Sequence, residues 1–252
     1  MNLKTITQNH LNEWNQTANG ANLFGIDKQL IRDFYHNFFD DLHTEIVANY
    51  PIASFTKVWR NTCNKWCKTI NGELRKMNPS GKDNPEFLAL AEVDKVVNKF
   101  RGNVAEIFFE AAVQYARFDW ILPTGYEPVD PWNEEQLDGE GMSPFGDYPI
   151  GIQIKNWNHG NPITRHVFNE IAGMAWKWYV RGKLKNIDMS MKPTYMYVVS
   201  FDSEGYFENE TNKDLEKTMS GTIKFIGPKQ IDKAFSGKKC PVALFDDLRK
   251  IV

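Results

Sequence analysis

The segment PIGIQIKNW, residues 149 to 157, repeats with a period of two. Ile150, Ile152 and Ile154 fall on one side of an extended chain, and Gln153 and Lys155 fall on the other. Wound as a helix, the same residues would scatter their isoleucines around the axis, so the spacing predicts a strand. Such a strand is half-buried, with an apolar side against a core and a second side carrying an amide and an ammonium two residues apart. A strand of this kind needs partners, and the rest of the chain has to supply a sheet and something to cover it.

The cover comes first in the chain. In residues 28 to 50, Leu30, Ile31, Phe34, Phe38, Leu42 and Ile46 recur at spacings of three and four, the signature of an amphipathic helix that Pro51 ends. A second helical run spans residues 52 to 78 and stops at the turn-rich NPSGKDNP. A third begins near Glu86 and is expected to break near Gly102 before continuing through NVAEIFFEAAVQYA. Beyond it the texture changes. RFDWILP (117 to 123) reads as a short strand and is followed by a stretch rich in proline, glycine and acids. The Gln-Lys strand comes next, then a helix from about 163 to 181, strands at 193–201 and 222–227, and the short helix PKQIDKAF. The order predicts a mixed α/β fold with a central sheet flanked by helices, behind a helical N-terminal region. The boundary is placed between a helical part, 1 to 95, that binds DNA or a partner, and a sheet-containing domain, 96 to 252.

Composition narrows the functional classes. The chain of 252 residues is 42% hydrophobic and 25% charged, as an ordinary globular protein is. No run approaches the roughly 18 apolar residues that span a bilayer, and the start, MNLKTITQNHLNEW, lacks the apolar core of a secretory signal. A cytoplasmic protein with no membrane partner is expected. Cys63, Cys67 and Cys240 are an odd set without matching histidines, which argues against a disulfide framework and against structural zinc.

A net charge of −2 excludes a uniformly basic coat, but not a local basic face. The second helical run has one. Lys57, Arg60, Lys65, Lys68, Arg75 and Lys76 stand against the single acid Glu73, with Trp59 and Trp66 among them. Lys57, Arg60, Lys65 and Lys68 are candidate phosphate contacts beside indoles that can stack, and the competing reading is a solvated surface whose tryptophans face the core. Asn156 and His159, just past the strand, are candidate contacts at the active end of the sheet.

The chemistry converges on four side chains. Glu106 lies on the third helix, Asp138 lies in LDGEG fourteen intervening residues ahead of Gln153, and Lys155 shares a strand face with Gln153. Magnesium takes hard oxygen ligands, and carboxylates from two elements, Glu106 and Asp138, with the main-chain carbonyl of Ile154 would supply part of its shell. A bound divalent ion lowers the pKa of water and draws charge from phosphoryl oxygens, which is what phosphodiester hydrolysis requires. The Lys155 ammonium would orient that water or bind a phosphate oxygen, and Gln153 would hold water or metal through its amide oxygen. Asp130, Glu140 and Asp147 remain open as alternatives to Asp138. The dull alternative for Gln153 and Lys155 is the wet face of an edge strand.

A helix glutamate, then an aspartate turn, then a strand ending Gln-x-Lys resembles the PD-(D/E)xK nuclease superfamily. The glutamine variant is most like its Mrr-like restriction endonuclease branch, whose glycine-rich aspartate turn and I-Q-V-K strand have LDGEG and IQIKNW as counterparts, with IKFIGPKQIDKAF as the closing strand and helix. The likeness covers roughly residues 100 to 237 and departs from the family at Leu137, where proline is usual, and at Gln153, where an acid is usual. It implies a restriction-endonuclease-like core and a magnesium-dependent endonuclease acting on DNA, with manganese able to substitute. It also implies a setting in restriction, phage or mobile-element conflict. Asp138, Gln153, Lys155 and Glu106 would be the catalytic set. RNA is a close variant as substrate, and a homodimer is the expected state for cutting two strands. The rival from another class is a non-catalytic module, binding nucleic acid or protein on a nuclease-like scaffold.

Overall fold

The structure is a computed structural model. It describes residues 28–49, 54–77, 90–116, 124–128, 139–142, 149–156, 169–170, 172–173, 176, 196–201 and 223–235. The elements in chain order are α1 (Lys28–Asn49), α2 (Phe55–Lys76), α3 (Leu90–Ala116), β1 (Thr124–Pro128), β2 (Gly139–Met142), β3 (Pro149–Lys155), β4 (Met196–Ser200), β5 (Ile223–Ile226) and α4 (Pro228–Phe235). They divide between two compact units, Met1–Ala111 with Phe235–Val252, and Ala112–Ala234. The boundary expected at residues 95 and 96 falls inside α3.

The first unit is built on the periodic faces of three helices. From α1, Phe34, Phe38, Leu42 and Ile46 are buried at the predicted spacing, joined by Tyr35 and Phe39. α2 starts after Ser54, whose backbone is extended and whose carbonyl accepts from the amides of Lys57 and Val58; Arg75 and Lys76 in its last turn suit the negative end of the helix dipole. Its buried stripe is Phe55, Val58, Trp59, Cys63, Cys67, Ile70 and Leu74. Both cysteines are buried and outside any disulfide.

The core of this unit is aromatic. Phe38 meets Phe39, Trp59 and Phe100 edge-on at centroid distances of 5.0, 5.6 and 5.7 Å, and Trp59 lies 4.8 Å from Phe108. The unit also takes in Phe235, whose ring stacks on Phe55 at 4.4 Å. Each such side chain is worth about 1.5–3 kcal/mol on burial, and each well-oriented ring pair adds about 0.5–1.5 kcal/mol.

α3 is continuous through Gly102, contrary to the break expected there. A glycine inside a helix costs about 1 kcal/mol relative to alanine. Phe100, Val104, Ala105, Ile107 and Phe108 on either side of it are all buried, so packing outweighs that local preference.

The second unit holds a five-stranded sheet in the order β1-β2-β3-β4-β5. β1, β2 and β3 form an antiparallel meander, and β3, β4 and β5 run parallel. β1 and β2 occupy part of the stretch rich in proline, glycine and acids; the 117–123 strand candidate lies outside the described residues. Of the helix expected over 163 to 181, Asn169, Glu170, Ala172, Gly173 and Trp176 are described, and all five are helical. α4 begins with Pro228, whose missing N–H costs nothing at a first helical position. Gln230 Oε1 reaches back to accept from the Gly227 amide at 3.2 Å, closing the helix start. Among the described residues, no helix is long and apolar enough to cross a membrane.

Candidate active site

β3 is the middle strand of the sheet, with β2 antiparallel on one side and β4 parallel on the other. β2 is held in register from Gly139 opposite Ile152 to Met142 opposite Pro149. On the β4 side Gln153 faces Val198, Ile154 faces Val199 and Lys155 faces Ser200, and the Lys155 carbonyl accepts from the Phe201 amide at 3.3 Å. Lys155 and Gln153 therefore do not sit on an edge strand, where lysine serves to block pairing.

Both faces of β3 are covered, which corrects the half-buried strand expected from the alternation. Ile152 and Ile154 are buried as expected, and Gln153, on the supposedly wet side, is only 5% exposed. Lys155, two residues on, is half-buried. The polar side is thus inside the sheet at Gln153 and opens toward solvent at Lys155, at the carboxyl end of a parallel pair, where ligands of α/β sheets commonly bind.

Ser200 was not among the residues singled out from the sequence. It is the register partner of Lys155, shares the face of Gln153 and Lys155, and is 4% exposed. The run MYVVSF reads as an apolar strand, and its only signal was a hydroxyl in the final position. Asn156, directly after the strand, is also buried. Three buried polar side chains and a lysine thus gather at the ends of two neighbouring strands whose other described side chains (Ile152, Ile154, Val198 and Val199) are apolar and buried.

The other candidate residues are dispersed or lie outside the described residues. Glu106 is half-buried on α3 in the first unit and is engaged with other groups. Asp138, Asp130, Asp147 and His159 lie outside the described residues; Gly139, bonded to Asp138, is the first residue of β2, and Glu140 pairs with Gly151. Among the described residues no three His, Cys, Asp or Glu side chains gather as a metal site requires. The amide oxygen of Gln153 and the carbonyl of Ile154 are hard donors of the kind magnesium takes, but neither carries charge, so a magnesium site here would need at least one carboxylate beside them.

On α2, Lys57 and Lys68 are exposed and Arg60 is half-buried. Lys65 is exposed too, but its ammonium lies 2.8 Å from Asp41 Oδ2, and the same oxygen accepts from Trp66 Nε1 at 2.7 Å. That hydrogen bond, reinforced by the charges of Asp41 and Glu45 against a small desolvation, keeps Lys65 protonated to higher pH than an ordinary lysine. Arg75 is similarly engaged with Asp94, and Lys76 with Glu73. Trp59 is fully buried, so the stacking role considered for it does not apply. Of the expected phosphate-tracking face, Lys57 and Lys68 are the cations best presented.

A scan against protein-family models gives no match, and no curated protein and no solved structure matches the chain.

Proposed function

We propose that the protein is a metal-dependent endonuclease that hydrolyses DNA phosphodiester bonds, with a restriction-endonuclease-like core in residues 96 to 252. The observation that carries the reading is the placement of Gln153 and Lys155 on one face of a central strand, buried at the first and opening to solvent at the second. A lysine on a central strand does not serve to block edge pairing, and a chain tends to keep it there for a charged partner or for chemistry.

In this reading the Lys155 ammonium binds a non-bridging phosphate oxygen and orients the attacking water, while the Gln153 amide holds that water from below. The covered sheet around Gln153 excludes bulk water, which strengthens the pull of the ammonium on the charge that develops in the transition state. In this reading Asp138, as the sequence motif suggests, and the Ile154 carbonyl would hold magnesium, or manganese in its place. When bound, that ion supplies a water of lowered pKa and relief of phosphoryl charge. Glu106 enters the reading from the sequence, as a second carboxylate for the metal shell.

A second reading, a binding module without catalysis, draws on one feature, the neutral Gln153 where related nucleases carry an acid. Supercoiled plasmid incubated with magnesium or manganese separates the two. Nicking by the native protein and a drop of at least a hundred-fold in Lys155→Ala, at unchanged thermal midpoint, is expected. Equal nicking by both proteins, or none by either, leaves the binding module.

A further inference from the structure

We infer that the exposed crest of α2 docks on the phosphate backbone of duplex DNA through Lys57 and Lys68, with Asn61 between them. The face lies within the helical unit and uses no metal, so it stands or falls apart from the hydrolytic reading.

α2 buries Phe55, Trp59, Thr62 and Ile70 on one side. At 3.6 residues per turn, Lys57, Asn61, Lys68, Gly72 and Arg75 fall within about 60° of one another on the opposite side. Glu73, the one acid of the helix, stands about 140° round from Lys68.

The fold sorts the cations of this helix into two groups. Lys65 is held by Asp41 of α1, Arg75 by Asp94 of α3 and Lys76 by Glu73, and Arg60 is half-buried and engaged. Lys57 and Lys68 are exposed and form no ion pair among the described residues. The acids flanking the helix are therefore matched by the cations beside them, and the charge left over on the crest is positive. A positive crest on a chain of net charge −2 suits a partner with a dense row of anions.

Geometry points to a duplex. Lys57 and Lys68 are eleven residues apart, which is about 16.5 Å of helix. The major groove of DNA is about 12 Å wide, so the two flexible stems can reach phosphates on its opposite banks. Gly72 continues the crest with no side chain, and a Cβ added there meets nothing within 4 Å, which leaves the helix open to close approach. Single strands are gripped largely by stacking, and the crest has no aromatic ring to offer: Trp59 is buried, and Trp66, on the far side of the helix, donates its Nε1 proton to Asp41.

The test is fluorescence anisotropy of a labelled duplex of about 20 base pairs with the full chain in EDTA, at about 50 to 200 mM salt. Losing two phosphate contacts predicts that the Lys57→Gln, Lys68→Gln double variant binds roughly ten- to fifty-fold more weakly near 0.1 M salt, with a log–log salt slope shallower by about 1.8. Gly72→Glu should weaken binding at least about five-fold and Gly72→Gln, of the same shape, less than about two-fold. Lys65→Gln should stay within about two-fold of native, because Asp41 already neutralises that charge. No crest variant should lower the thermal midpoint. Absence of duplex binding by the native protein overturns the inference, as does native affinity in the double variant or an equal loss in Lys65→Gln. Displacement of the duplex by polyglutamate or by a single strand, at matched charge and as effectively as by unlabelled duplex, overturns the choice of partner. With metal chelated no cleavage is read, so these outcomes do not depend on whether the protein hydrolyses DNA.

Discussion

In the helical unit, Asn103 on α3 donates to the Tyr35 hydroxyl on α1 at 2.9 Å and Arg101 on α3 donates to Asn64 on α2 at 2.9 Å, so these two interior polar groups tie one helix to another. In the sheet unit, Gln153, Ser200 and Asn156 crowd the ends of two adjacent strands. Polar groups spread through a core and paired between elements do the work of alignment, fixing which face of each helix meets which. Buried polar groups gathered at one corner of an otherwise apolar sheet are costly to place there, and that concentration is what singles the corner out as a candidate site.

The contrast can be broken at its strongest point first. Trp59→Ala should destabilise the helical unit by about 3–5 kcal/mol, read as a lower midpoint in urea unfolding, because a fully buried indole leaves a large cavity. A cost below about 1 kcal/mol would instead put the indole at the surface and return Trp59 to the candidates for stacking on a base.

The sheet corner should respond in the opposite way. Gln153→Met keeps nearly the same volume in a site that is 5% exposed, so its stability should stay within about 1.5 kcal/mol of the native protein. On the proposed hydrolytic function, DNA cleavage should meanwhile fall about a hundred-fold, equivalent to about 2.7 kcal/mol of transition-state stabilisation. A folded, active Gln153→Met would make the amide a packing residue and erase the difference between the units.

The smallest effect is expected on the surface of the helical unit. Asp41→Asn removes the carboxylate that holds Lys65, an ion pair whose lysine side chain is 58% exposed, so the loss should be below about 1 kcal/mol and should shrink with added salt. Its sign follows from the direction of the shift. The folded state holds the Lys65 proton more tightly than the ordinary value of 10.5, so the contribution is complete below that pH and is lost as pH rises through the higher folded value. The stability gap between native and Asp41→Asn protein should therefore be steady below pH 10.5 and close above it.

What could be read in advance follows the range of the interactions. The periods of α1 and α2 are local, and Phe34, Phe38, Leu42 and Ile46 are buried where their spacing requires. Gly102 misled because a local preference worth about 1 kcal/mol was weighed without the buried neighbours that outvote it. β1 and β2 were hidden in a stretch of glycines and acids, whose side chains carry almost no strand signal, and their pairing with β3 is what makes them strands. The Gln-Lys pair was legible from alternation alone. Ser200 was not, since its significance comes from standing opposite Lys155, and a cross-strand register is invisible in a single sequence.

Parallel neighbours cannot be joined by a hairpin; the chain must travel back the length of the sheet before the second strand is laid down. Lys155 and Ser200 are accordingly forty-five positions apart, whereas α1 and α2 are separated by a short connection and need only nearby contacts. Contacts over such separations form slowly, after local ones. A nascent chain that has released everything from α1 to β3 already carries the lysine, yet the corner it belongs to does not exist until the ribosome has moved well past residue 200.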